Sequence, residues 1–408
     1  MVSEEYQEEP GKEQDKRQKK KPNKRRRRLL GMALSALSLI ILSYISITLI
    51  TGQESVFTQI ADLFRPKAPV ELADELFFDV GRNKVYANLG ENIAATGTLG
   101  VQVLDRGGAE TLRDPLRMST PTIEASNGWA IVFDIGGMSA RTFTESRISA
   151  SIEANGAIVS ASINSNGWFA ICTQESASYR SIVTAYDDKG GRVYRVSLAT
   201  GYALHAEMSP DNNKLAILSL TDNGSRVTVY DLSSEEPEQE YNFRGSLLLD
   251  IRYLPGGEIL AISTESLIAI KTDGSTADLF GFNSGRLGGY ILNDSVIVLH
   301  LLDYSIGYSG RLITLDPSGK LLGGVLTDKT IMSMSVSRGY LVILKSDGPV
   351  FYDFEMNEYP PTRDLAAAEG ATQVVSLGEG AFLVAGDHLA EVFRIGVREG
   401  EGIDDSRD

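Results

Sequence analysis

The chain runs to 408 residues, 42% of them apolar, with a formal net charge of −15 at pH 7. That length supports a large buried core, and the acidic balance sets the chain against polyanions, so no nucleic-acid partner is expected. Its single cysteine, Cys172, excludes an intramolecular disulfide framework and any cysteine-based zinc site.

Residues 1–28 hold eleven Lys and Arg against six Asp and Glu, a net charge of +5 that leaves −20 for the rest. Without periodic apolar residues they read as a disordered basic tail. Leu29 to Ile50 follows, twenty-two residues with no charged side chain. As a helix it spans about 33 Å, one crossing of a bilayer core about 30 Å thick. A cleaved signal peptide has a shorter apolar region and ends in small residues; Leu49-Ile50-Thr51-Gly52 has no such ending, so an uncleaved transmembrane helix is expected. Arg25, Arg26, Arg27 and Arg28 then act as topology determinants that keep the N-terminus in the cytoplasm, with the rest outside the membrane. The basic tail is also expected to attract anionic lipid headgroups.

In residues 51–75, Val56, Phe57, Ile60, Leu63 and Phe64 recur at helical spacing ahead of Pro66 and Pro69. This predicts a juxtamembrane helix and linker. Residues 397–408 read as an acidic tail.

From 76 to 396 the texture changes to short runs rich in Val, Ile, Leu and Tyr, separated by Gly, Asn, Asp and Ser, an all-β pattern. A turn followed by an apolar strand keeps returning, as in Gly128-Trp129-Ala130-Ile131-Val132, Gly167-Trp168-Phe169-Ala170-Ile171 and Asn213-Lys214-Leu215-Ala216-Ile217. The turns fall near 90, 128, 167, 212, 257, 293, 339 and 380. A second strand-and-turn feature, such as Val227-Thr228-Val229-Tyr230-Asp231, gives each unit four strands. Units of this size match propeller blades, which bury both faces only by stacking around an axis. The expected fold is therefore an eight-bladed β-propeller, with seven blades as the alternative because the first repeat is degenerate. The last repeat lacks a fourth strand, and Leu76-Phe77-Phe78-Asp79-Val80 is apolar enough to supply it and close the ring.

The basic tail, the apolar segment and runs such as Val101-Gln102-Val103-Leu104-Asp105, Met208-Ser209-Pro210-Asp211 and Val227-Thr228-Val229-Tyr230-Asp231-Leu232 resemble an uncharacterised family of membrane-anchored, propeller-like proteins from Gram-positive, clostridia-type bacteria. The resemblance implies the fold and assigns no activity.

Reactive groupings are sparse. The histidines His205, His300 and His388 fall in three repeats and read as core or loop residues; His205 and Glu207 share one side of a strand, two ligands where a metal needs three or four. No nucleophile elbow, phosphate loop or dinucleotide fingerprint is present. Cys172 lies in an apolar run and reads as a small buried hydrophobe. Asp105, Asp187 and Asp316 read as turn residues bonded to local amides. Neither a cofactor nor a metal is expected.

The candidate ligand-binding residues lie on the face shared by the loops between second and third strands and by the blade-to-blade connections. They are Tyr179, Arg180, Arg286, Asp303, Tyr304 and Tyr308, with Arg117, Arg147 and Arg244 placed on the same face. Aromatic rings beside guanidinium groups suit a sugar or an anionic polymer. The reading that follows is a binding or scaffolding module at the cell envelope, with envelope proteins or wall polymers as partner classes. The alternative is an enzyme acting on envelope glycans through two carboxylates beside aromatic residues on that face. A quinone-dependent dehydrogenase fits less well, since one Cys and two Trp leave little to sandwich such a cofactor.

Overall fold

A computed structural model describes residues 70–395, apart from 175–177, 284, 305–306, 338 and 361–369. The proposed transmembrane segment 29–50, the juxtamembrane helix and both tails lie outside the described residues. Among the described residues no helix is long and apolar enough to cross a membrane.

The strands form eight four-stranded antiparallel sheets. Blades 1 to 7 use consecutive strands, over 85–115, 121–153, 157–198, 202–244, 248–281, 286–327 and 331–359. Blade 8 combines three strands from 371–395 with the first strand of the ring, Val70–Glu75, which pairs antiparallel with Ala390–Ile395. The count is eight, and the expected turns all fall between the first and second strands of a blade.

The first strands are innermost: Val85–Leu89, Pro121–Ser126, Ala157–Ile163, Tyr202–Met208, Leu248–Tyr253, Arg286–Leu292, Ile331–Ser337 and Ala371–Gly378. Most neighbouring first strands contact one another from blade to blade, including those of blades 8 and 1, and so surround the axis. Eight buried clusters fill the gaps, each shared by two successive blades. Between blades 4 and 5, for example, Leu218, Val227 and Val229 pack on Leu248, Ile251 and Ile268. Second strands are covered on both sides, so they read as continuous apolar runs such as Trp129–Asp134 and Ile297–Leu302. Outer strands meet solvent on one side and alternate; Pro237–Arg244 shows only exposed and half-buried positions.

That difference corrects the expected closing strand. Apolarity pointed to 76–80, but a fourth strand is half solvated, and Val70–Glu75 with its three acidic residues has that character. Leu76, Phe78 and Val80 instead fill the gap between blades 8 and 1 as part of the connection, while Phe77 is 80% exposed. The ring therefore starts six residues earlier than expected, inside the segment assigned to the linker.

Polar side chains set the turns. In the second-strand hairpin of blade 2, Asn127 and Gly128 both have positive φ, 47° and 82°, as a tight hairpin turn twisted like its strands requires. Asp105, Asp187 and Asp316 each accept two backbone amide bonds in the turn before a fourth strand, at 2.7–3.0 Å. Cys172 is 1% exposed within blade 3, as expected of a small buried hydrophobe.

Candidate functional site

The ring has two faces. On one, which we call the turn face, first strands turn into second and third into fourth; on the other, the loop face, second strands turn into third and the chain passes between blades. Alternate side chains of each inner strand point back to the preceding blade or forward to the next. In blade 4, Ala206 and Met208 pack back on blade 3, and His205 and Glu207 point forward.

The forward positions hold a repeated clasp. Ser162 Oγ of blade 3 donates to the Ala206 carbonyl of blade 4 at 2.5 Å. Ser333 and Ser335 of blade 7 accept from the amides of Val374 and Ser376 of blade 8, at 3.1 and 2.8 Å. Gln373 of blade 8 takes both the amide and the carbonyl of Tyr86 in blade 1, at 3.0 and 2.8 Å.

In blades 2, 4 and 5 the same forward positions carry ionisable groups. Glu207 accepts from the Tyr253 amide at 2.7 Å and from Arg252 at 3.0 Å. His205 Nε2 lies 3.8 Å from both Glu207 and Asp250. Asp250 accepts from the Ile251 amide at 2.9 Å and from the Tyr290 hydroxyl at 3.4 Å. Glu124 of blade 2 interacts electrostatically with His205, Asp250, Arg252 and Glu207, with no ion pair or hydrogen bond of its own among the described residues.

Their environments push these groups apart. Desolvation raises the Glu124 carboxyl above its ordinary range, and the Asp250 and Glu207 charges raise it further against the pull of His205 and Arg252. Asp250 is raised chiefly by burial. Burial also acts on Glu207, but His205, Arg252 and the Tyr253 amide outweigh it and hold this carboxyl low. For His205 burial works against protonation, yet the carboxylates of Glu207, Asp250 and Glu124 prevail and the imidazole is raised. Among the described residues no group of three or more His, Cys, Asp and Glu is arranged to hold a metal ion.

Between this cluster and the turn face lies a cavity of about 630 Å³, to which every blade contributes at least one residue, among them Asn88, Ser126, Asn164, Arg252, Asn293 and Ser337.

The residues singled out from the sequence sit on the loop face at two places. Tyr179 and Arg180 lie in the loop between second and third strands of blade 3, and the Arg180 guanidinium stands 5.1 Å from the ring of Tyr202, which opens blade 4. Arg286 opens blade 6 opposite Leu302, and the loop with Asp303, Tyr304 and Tyr308 begins one residue later. Blades 4 and 5 separate the two groups. Arg147 is corrected: it lies in the turn before the fourth strand of blade 2, where its carbonyl accepts from Thr144, so it belongs to the turn face.

Sequence reasoning missed Glu124, Asp250, Arg252 and Tyr290. The available signal was a charged residue inside the apolar run four or five places before a repeat turn, as Glu124 precedes Gly128 and Arg252 precedes Gly257.

The sequence matches the Family of unknown function (DUF5711) over residues 70–358, most of the ring. The chain belongs to that family. None of the curated proteins matches it. Among solved structures, this DUF5711 ring is similar to the C-terminal WD40 domain of Sif2, with a TM-score of 0.60 and 14% identity over 81% of this chain and 99% of that one. It is also similar to the β-propeller domain of Myceliophteria thermophila Cps50 (Swd1), with a TM-score of 0.48 and 10% identity over 80% of this chain and 100% of that one. The first likeness shows the propeller fold and nothing further about activity.

Proposed function

We propose that the protein is a binding or scaffolding module held at the cell envelope, with residues 29–50 crossing the cytoplasmic membrane, the propeller outside it, and the loop face receiving the partner. One observation carries this reading. Of the fourteen large apolar side chains exposed among the described residues, thirteen lie in loops of the loop face or within three residues of strand ends that meet it; Leu321 is the exception. Leu99, Met138, Tyr202, Tyr304 and Tyr308 are 42–71% exposed there. Exposed apolar surface gathered on one side of a soluble ring marks an interaction surface, whereas scattered apolar residues need no explanation. Aromatic side chains near arginines add groups enriched at binding hot spots. Envelope proteins or wall polymers are the partners this surface suits, while the basic tail meets membrane lipids.

The test replaces Arg286, Tyr304 and Tyr308 with alanine in the full chain and compares retention on purified envelope fractions. Retention should fall at unchanged melting temperature; equal retention removes this part of the loop face from the reading.

A further inference from the structure

His300 is 5% exposed, and its Nε2 has no hydrogen-bond partner among the described residues. Buried polar atoms are normally satisfied, so an open imidazole nitrogen in a core calls for a partner.

The strands fix where this ring points. His300 lies opposite Gly289 and Leu312 in blade 6. Val298 and Leu312 belong to the buried cluster between blades 6 and 7, so His300, two residues beyond Val298 on the same strand, faces that gap. Met334 packs on the same cluster from the inner strand of blade 7. With Met332, Gly288 and Gly289 they line a cavity of about 210 Å³ in that gap. A Cβ at Gly288 would stand 2.9 Å from His300 Nδ1, and one at Gly289 3.2 Å from Met334 Cε. The two glycines therefore leave the room that the imidazole and the thioether occupy. Met332 is 48% exposed, which gives the cavity a path from solvent.

This space is smaller than the roughly 300–1,000 Å³ of small-molecule sites, which favours an ion. Its donors include one imidazole and two thioethers, with no carboxylate among the described lining residues. Thioethers beside an imidazole select Cu(I), whereas Mg²⁺ and Ca²⁺ need oxygen ligands and Zn²⁺ takes thiolate, imidazole or carboxylate. Thioethers stand outside the His, Cys, Asp and Glu groupings considered above.

We propose that the gap between blades 6 and 7 binds one Cu(I) ion, held by His300 Nε2 and the sulfurs of Met332 and Met334. Methionine side chains are flexible enough to close on the ion, which satisfies the open imidazole. The site needs no partner on the loop face, so it stands independently of the function proposed above.

The test supplies Cu(I) to the full chain without oxygen, in competition with the chelator bicinchoninate. One Cu(I) per chain should be retained, and its X-ray absorption should show nitrogen and sulfur neighbours. His300→Gln should weaken binding at least about tenfold. The double variant Met332→Leu, Met334→Leu conserves volume, so it should melt like wild type and lose at least about as much affinity. Cys172→Ser and Tyr304→Ala should leave binding unchanged. No retained Cu(I), undiminished binding in the double methionine variant, or binding lost in Cys172→Ser would each overturn the proposal.

Discussion

The Glu207 carboxylate on the inner strand of blade 4 accepts a hydrogen bond at 2.7 Å from the backbone amide of Tyr253 on the inner strand of blade 5. The residue is 7% exposed and also holds Arg252, so one side chain joins two blades at the axis. In other blades a serine or glutamine makes the corresponding clasp. An ionised group in this place gives the blade 4–5 contact a pH dependence that the neutral clasps lack.

Glu207→Ala should therefore destabilise the ring. It leaves a buried amide without its acceptor and a half-exposed guanidinium without its partner, at a cost of about 2 kcal/mol. Because the Glu207 carboxyl is held low, its contribution is present above the ordinary carboxylate range and disappears as pH falls through the lowered value. Thermal melts at pH 7 and pH 3 should show a clear deficit for the variant at the first and a smaller one at the second. An equal deficit at both would assign the effect to packing.

Glu124→Gln is expected to act in the opposite direction. Partial desolvation among the charged groups of the inner strands raises the Glu124 carboxyl, although the residue itself is exposed, so its ionisation disfavours the folded ring, and the penalty grows as pH rises through the raised value. At pH 7.5 the variant should melt above wild type by about a degree at most, since the residue is exposed to screening solvent, and the gap should close near pH 3 where the side chain is protonated in both states. A lower melting temperature at pH 7.5 would contradict this account of the cluster.

Ring closure separates two neighbouring residues. Val70 is 1% exposed and packs between blades 7 and 8, whereas Phe77 is 80% exposed. Val70→Ala should cost about 1–3 kcal/mol, and Phe77→Ala should leave the melt unchanged. The reverse ranking would show that 76–80 closes the ring.

Cys172 should be inert in the folded protein. Burial pushes its thiol up to about 12, so almost no thiolate exists at neutral pH. A thiol reagent should label it only after denaturant is added; labelling of the native chain at the rate of a free thiol would contradict the buried placement.

Much of the fold was legible because most first-to-second-strand turns hold an Asn or Gly at positive φ, with Asn293 of blade 6 instead accepting from the Ser295 amide, and because second strands are buried on both sides. Those two constraints write a repeat into the sequence at every blade. The closing strand was misread because an outer strand faces solvent: Glu71, Asp74 and Glu75 look like linker, while the apolar Leu76, Phe78 and Val80, beyond the end of that strand, are drawn into an inter-blade gap. The axial cluster was illegible for another reason. Glu124, His205 and Asp250 are 45 and 81 residues or more apart in pairs spanning the repeats, and only closure of the ring brings their blades to a common axis. His205 and Glu207 were seen as neighbours on one strand, but Asp250 and Arg252, their partners from the next blade, could not be read from that spacing.

The central claim, that the loop face receives the partner, is tested most directly by site-specific photo-crosslinking in producing cells. A photoreactive residue is placed at Leu99 or Tyr304 on the loop face, and at Asp188 or Ser318 on the turn face. The account predicts discrete adducts with envelope components from the first pair and none from the second. Adducts of equal yield from both faces, or from the turn face alone, would contradict it.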